Sequence, residues 1–113
     1  MEYNKKMYGR DTGLKDKSGS YIMFGDVTKL TVYGEDRYFL VDYRSVEREV
    51  VNHPSFIEST SKVMITGTVF YCKGYCFFPC VNEDGGPDNE RMEVVGDIRF
   101  DEELENLIEG LPF

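Results

Sequence analysis

Val63-Met-Ile-Thr-Gly-Thr-Val-Phe-Tyr-Cys72, then Lys73-Gly74, then Tyr75-Cys-Phe-Phe-Pro-Cys-Val81 is the stretch on which the fold turns. β-branched and aromatic side chains dominate both runs, and such residues suit a pleated, half-buried surface. Lys-Gly between them reads as a two-residue hairpin turn, because glycine takes the left-handed backbone that such a turn demands. Pro79 has no amide hydrogen to give a ladder, so it belongs on an edge or at a strand end. Two consecutive strands of this kind commit the chain to antiparallel β structure.

Upstream, Val27 to Tyr33 alternates, with Thr28, Leu30 and Val32 on one side and Val27, Lys29, Thr31 and Tyr33 on the other. Gly34-Glu35-Asp36 reads as a turn, and Arg37 to Tyr43 as a second strand with Phe39, Val41 and Tyr43 on a common face. Arg44 to Lys62 is harder to read: Ser45 to Val51 could be one or two helical turns or a polar edge strand, and at His53-Pro54 proline disfavours helix at the residue before it. That segment is expected to be a long connection with little regular structure. Asn82 to Glu90, centred on Asp-Gly-Gly-Pro-Asp, reads as an exposed loop.

Downstream, Met92 to Phe100 alternates with Met92, Val94, Gly96, Ile98 and Phe100 on one face. Asp101 then reads as an N-cap, with Glu102 and Glu103 at the positive end of a helix dipole. Leu104, Leu107, Ile108 and Leu111 recur at helical spacing, and Gly110 with Pro112 stops the helix, which is expected over 101–110. Burying those four side chains is worth on the order of 6–10 kcal/mol before chain entropy opposes it, so the helix must dock. The sum is a mainly β, α+β domain: a small, partly open antiparallel barrel in the SH3-like style, or a curved sheet of about five or six strands, with one C-terminal amphipathic helix.

Ahead of all this lies Thr12-Gly-Leu-Lys-Asp-Lys-Ser-Gly-Ser-Tyr-Ile-Met-Phe-Gly-Asp26, a polar turn that leads into an apolar run. Together with Glu93-Val-Val-Gly-Asp-Ile-Arg99 and Leu104, it resembles the YopX family of small phage and prophage proteins. The shared features are Thr12, Gly13, Leu14, Lys15, Asp16, Lys17, Gly19, Gly25 and Asp26, which look structural. The family pattern has Asn where this chain has Asp97, which suits a backbone-bonding role there. The resemblance covers a C-terminal module, so residues 1–11 stand as an N-terminal arm before a single domain over 12–113. It implies a phage-type accessory protein and brings no particular activity with it.

At 113 residues, with 41% hydrophobic and 14% aromatic content, there is material for one packed core. No apolar run is long enough to span a membrane, and the N-terminus lacks the apolar centre of a signal peptide. Three cysteines, an odd number, fit a reducing compartment better than a disulfide scaffold, so a cytoplasmic location is expected, and the resemblance implies a bacterial host. Formal charge is +2 over residues 1–20, −1 over 21–80 and −9 over 81–113. Such a balance disfavours generic affinity for phosphate backbones, which depends on Lys and Arg displacing counterions. It suits either a solvated face or a surface that meets a basic partner, with Asp97, Glu102, Glu103, Glu105 and Glu109 as the candidate contacts.

Three other chemistries compete. Lys29, Tyr33, Arg37, Tyr38 and Arg44 interleave aromatic and basic groups, as a base-stacking nucleic-acid platform would. Cys72, Cys76 and Cys80 have the wrong phase for zinc: with a two-residue turn at Lys73-Gly74, Cys72 and Cys76 point to opposite faces, and zinc takes four ligands. Asp26 and Asp97, each between a glycine and a β-branched residue, could share a cation, but such pairs more often bond nearby backbone amides. His53 is the single histidine, in a loop-like Asn-His-Pro-Ser context, so Cys–His or Ser–His catalysis is not expected. No phosphate-binding glycine loop occurs. The reading is a non-enzymatic interaction protein without metal or cofactor. Exposed strand edges and an amphipathic helix also favour self-association.

Overall fold

The computed structural model describes residues 5–51, 60–79 and 88–109. Seven antiparallel strands and one α-helix occur among them: β1 (Asp11–Lys15), β2 (Tyr21–Met23), β3 (Asp26–Val32), β4 (Glu35–Val51), β5 (Thr60–Cys72), β6 (Tyr75–Phe77), β7 (Glu93–Asp97) and α1 (Glu102–Glu109). β1 and β2 form a small sheet, and the other five run in the order β6-β5-β4-β3-β7. The mainly β architecture with a C-terminal helix is as expected. The sheet does not close into a barrel.

Pleat alternation along β4 sends Phe39, Val41 and Tyr43 to one face, as the sequence predicts. There Val41 and Phe70 pack with Ile22 and Phe24 of the β1–β2 layer and with Met92. On the opposite face Val27, Leu40 and Tyr71 receive Leu104 and Ile108 of α1. Burial of these two helix side chains is worth about 1.5–3 kcal/mol each. The sheet is therefore the middle layer, with a hairpin above and a helix below. Leu111 of the expected apolar stripe lies outside the described residues.

The two hairpin turns of the large sheet that lie among the described residues have two residues each. Cys72 pairs with Tyr75 across Lys73-Gly74, whose φ angles are 51° and 81°. Val32 pairs with Glu35 across Tyr33-Gly34, at 50° and 79°. Gly34-Glu35-Asp36 is thus not the turn: Glu35 already belongs to β4, and Tyr33 takes the first left-handed position. Thr12 to Lys15 likewise forms strand β1 rather than a turn.

The largest correction falls between Arg44 and Lys62. Residues 44–51 continue β4 and 60–62 begin β5, paired without interruption from Leu40–Tyr71 to Val51–Thr60. β3 reaches along β4 only to Leu40, and β6 along β5 only to Phe70. Val41, Asp42 and Val69 beyond these points are still buried, but past Ser45 and Thr66 the β4–β5 pair continues as a two-stranded ribbon. The molecule has extents of 50 × 32 × 28 Å. His53 and Cys80 lie outside the described residues, as does the expected loop up to residue 87. Asp88–Arg91 of that loop forms a 3-10 turn.

β7 is shorter and less regular than its sequence suggests. Val27 pairs with Gly96 but Thr28 with Val94, so Val95 is an extra residue, a β-bulge. The bulge puts Met92 and Val94 against the hairpin layer and Gly96 and Ile98 toward the helix, in place of one common face. Phe100 lies beyond the strand and is exposed. Gly96 is where the helix comes closest: a Cβ there would sit 2.6 Å from Leu104 Cδ1.

The hairpin layer is fastened by Asp16. Its Oδ1 accepts the Ser18 amide (3.0 Å), the Ser18 hydroxyl (2.7 Å) and the Ser20 amide (3.0 Å), while Oδ2 accepts the Val94 amide (3.1 Å). The Lys17 amide donates to Met92 O (2.8 Å), and Asn89 Nδ2 donates to Lys15 O (2.8 Å). Much of the Thr-Gly-Leu-Lys-Asp-Lys motif is thus spent on closing a turn and tying it to the last strand.

Candidate functional site

Asp101 caps α1 as expected: its Oδ1 accepts the Glu103 amide at 3.0 Å. Glu102, Glu103 and Glu105 occupy the first turn, all exposed, where the helix dipole favours them. None of the three makes an ion pair among the described residues. The other two acidic candidates behave differently. Glu109 is half-buried and accepts the Tyr71 hydroxyl at 2.8 and 3.1 Å. Asp97 is held by Arg99, whose Nη2 lies 2.8 Å away and whose amide donates to Oδ1 at 2.9 Å. Burial pushes the Asp97 carboxyl up, but the Arg99 hydrogen bonds and charge outweigh it and hold it below the usual range. Of five expected contact residues, three are free and two hold the fold together.

Beside this turn lies a cleft of about 460 Å³, lined by Lys5, Tyr8, Ile98, Arg99, Glu102 and Glu105. Tyr8 comes from the segment read as an arm, which is anchored by the Gly9 amide donating to Phe24 O and by the Phe24 amide donating to Arg10 O. Its hydroxyl is buried without a hydrogen-bond partner among the described residues. Burial, then the Asp42 charge, pushes the phenol well above its ordinary value.

The basic and aromatic candidates do not form one platform. Lys29 and Tyr38 are cross-strand partners, but the Lys29 ammonium lies 3.7 Å from Glu93. Arg37, one position along β4, projects to the other face and pairs with Glu35 at 3.9 Å. Tyr33 stands fully exposed at the hairpin tip, and Arg44 is turned into the core. Cys72 and Cys76 occupy opposite faces of the β5–β6 hairpin, as their spacing predicts. Burial pushes the Cys72 thiol up, away from a reactive thiolate. Among the described residues no three His, Cys, Asp or Glu side chains converge to hold a metal ion.

Asp26 and Asp97 are direct partners across β3 and β7. Asp26 Oδ2 accepts the Met23 amide at 2.8 Å, the backbone role expected of it. Burial raises its carboxyl, Asp97 adds to the rise, and together they outweigh the Met23 bond. A carboxyl raised by folding favours the native state below its unfolded value and loses that advantage as pH rises through its folded value. Asp26→Asn keeps the acceptor and removes the charge. It should therefore be as stable as the parent at pH 7 or more so, by up to about 1 kcal/mol, with the gain fading in acid. Urea titrations at pH 7 and pH 4 measure this, and a clear loss at pH 7 refutes it.

Compared with protein-family models, curated proteins and solved structures, the chain matches none.

Sequence reasoning missed the charged chain beneath the helix. Asp42 is fully buried, and its Oδ2 accepts Arg44 Nε at 2.6 Å. The Arg44 guanidinium lies 4.4 Å from the centre of the Tyr71 ring, and its Nη1 donates to Cys76 Sγ at 3.6 Å. Tyr71 in turn reaches Glu109, so Asp42, Arg44, Tyr71 and Glu109 link the centre of the sheet to the end of α1. The signal was present: Asp42 and Arg44, two apart on one strand, share the face of Leu40.

Proposed function

We propose that the chain is a non-enzymatic accessory protein of phage or prophage type, resembling the YopX family, which acts in a bacterial cytoplasm by binding a basic protein surface. One observation carries the reading. Glu102, Glu103 and Glu105 project from a single turn without ion pairs among the described residues, and Arg99, which lines the same cleft as Glu102 and Glu105, is held by Asp97. Lys17 and Lys29 lie against Glu93, Arg37 against Glu35 and Arg99 against Asp97. The first turn of α1 therefore offers three carboxylates that no described cation neutralises, in a chain of net charge −8. Lys and Arg side chains on a partner are the complement, as on a protein that itself handles nucleic acid. Such a contact steers association and weakens with salt.

Capture from bacterial lysate should retain a basic protein at low salt and release it as salt rises. The Glu102→Lys, Glu103→Lys, Glu105→Lys variant should lose at least about 90% of that capture, since like charges then face each other. Equal capture by the variant, or none by the parent at low salt, overturns the reading. A single-stranded oligonucleotide shift that Lys29→Glu with Arg37→Glu abolishes would replace it with nucleic-acid binding.

A further inference from the structure

The β4–β5 ribbon has no third strand on either side among the described residues. A two-stranded ribbon is marginal alone, and its open edges are templates for another strand. The two edges differ in chemistry. Ser45–Val51 on β4 carries Glu47, Arg48 and Glu49, a charged edge of the kind that resists pairing. Thr60–Thr66 on β5 carries Lys62 alone, which lies 3.9 Å from Glu47. At its centre Val63, Met64 and Ile65 are exposed by 36%, 63% and 40%. Three consecutive exposed apolar residues do not fit a strand with one dry and one wet face. Toward the body β6 takes this edge at Phe70–Cys72, and the Phe78 ring lies 3.7 Å from the Cβ position of Gly67 on one face.

We propose that β5 pairs edge to edge with β5 of a second copy, antiparallel, about a two-fold axis at Met64. A symmetric interface requires one surface to complement itself, and this segment does. With Met64 on the axis, Val63 opposes Ile65 of the other copy and Lys62 opposes Thr66, so no like charges meet. On β4, an axis at Glu47, Arg48 or Glu49 would oppose identical charges. Charge favours the same site on a larger scale. Residues 45–51 and 60–66 hold Arg48 and Lys62 against Glu47 and Glu49, or no net charge in a chain of −8. Two copies therefore meet where their mutual repulsion is weakest. Pairing gives each ribbon a third strand and covers the apolar triplet, independently of the α1 surface.

Sedimentation equilibrium of the full chain should return twice the 13.1 kDa chain mass. Met64→Lys, which sets two ammonium groups together on the axis, should halve that mass and leave the circular-dichroism spectrum unchanged. Met64→Cys should give a disulfide-linked pair on mild oxidation, beyond any formed by the parent, and Glu47→Cys on the same ribbon should not. The Glu102→Lys, Glu103→Lys, Glu105→Lys variant should keep the doubled mass. A parent at single mass at micromolar concentration overturns the proposal. So does a Met64→Lys variant that retains the doubled mass, or cross-linking that is no stronger at position 64 than at position 47.

Discussion

Arg44→Ala should cost about 3–5 kcal/mol of folding stability, the range for removing one partner of a buried ion pair. The loss comes from what remains: Asp42 has no exposed surface, and the substitution takes away the guanidinium that lies 2.6 Å from its carboxylate. Tyr71 loses the cation over its ring at the same time. The pair as such need not be stabilising, because desolvating two charges offsets most of their attraction. Replacing both, Asp42→Leu with Arg44→Met, should therefore recover most of the loss. Urea midpoints followed by far-ultraviolet circular dichroism give both numbers, since the chain has no tryptophan to report. A single-variant loss below about 1 kcal/mol would mean that water reaches Asp42 and that the core is wetter than its burial implies.

Asp16→Ala should cost about 3 kcal/mol, because it leaves the Ser18, Ser20 and Val94 amides without their acceptor in a nearly closed turn. Asp16→Asn should be almost as damaging. One side-chain oxygen can replace Oδ1, but the amide nitrogen then faces the Val94 N–H, donor against donor. Burial pushes the Asp16 carboxyl up, yet the Ser18 hydroxyl and the backbone amides outweigh it and hold it below the ordinary carboxylate range. A carboxyl lowered by folding lends stability above its unfolded pKa and withdraws it as pH falls through its folded one. The gap between parent and Asp16→Ala should thus hold from neutrality down to about pH 4 and narrow only below that. A gap that closes by pH 6 would contradict the geometry.

The parts of this fold that could be read from the sequence are those where one residue type leaves a single option. Gly74 fixes the β5–β6 turn, and with it the register that separates Cys72 from Cys76. Asp101 and the leucine spacing fix α1. Where several options were open, the reading slipped. Tyr33 at positive φ has no sequence signature, so the β3–β4 turn was placed one residue late. Residues 44–51 look like a connection because charged side chains occur at both phases, as expected of a ribbon wetted on both sides. β7 reads as a clean alternation because a bulge at Val95 changes which face each side chain joins without changing the composition. Asp42 was overlooked because a lone carboxylate in a strand signals solvent until its cation two residues on is counted with it.

The bond from Asp16 to the Val94 amide joins residues 78 apart in the chain, and that from Lys15 to Asn89 joins residues 74 apart. On the ribosome, the first hairpin emerges long before the strand that fastens it. Its apolar side can rest on β4 and β5, but the hydrogen bonds that hold its turn wait for Asn89 and β7, and ring closure over so long a span is slow. A chain truncated before residue 89 should therefore be easily cut between β1 and β2, and the full chain should resist cutting there.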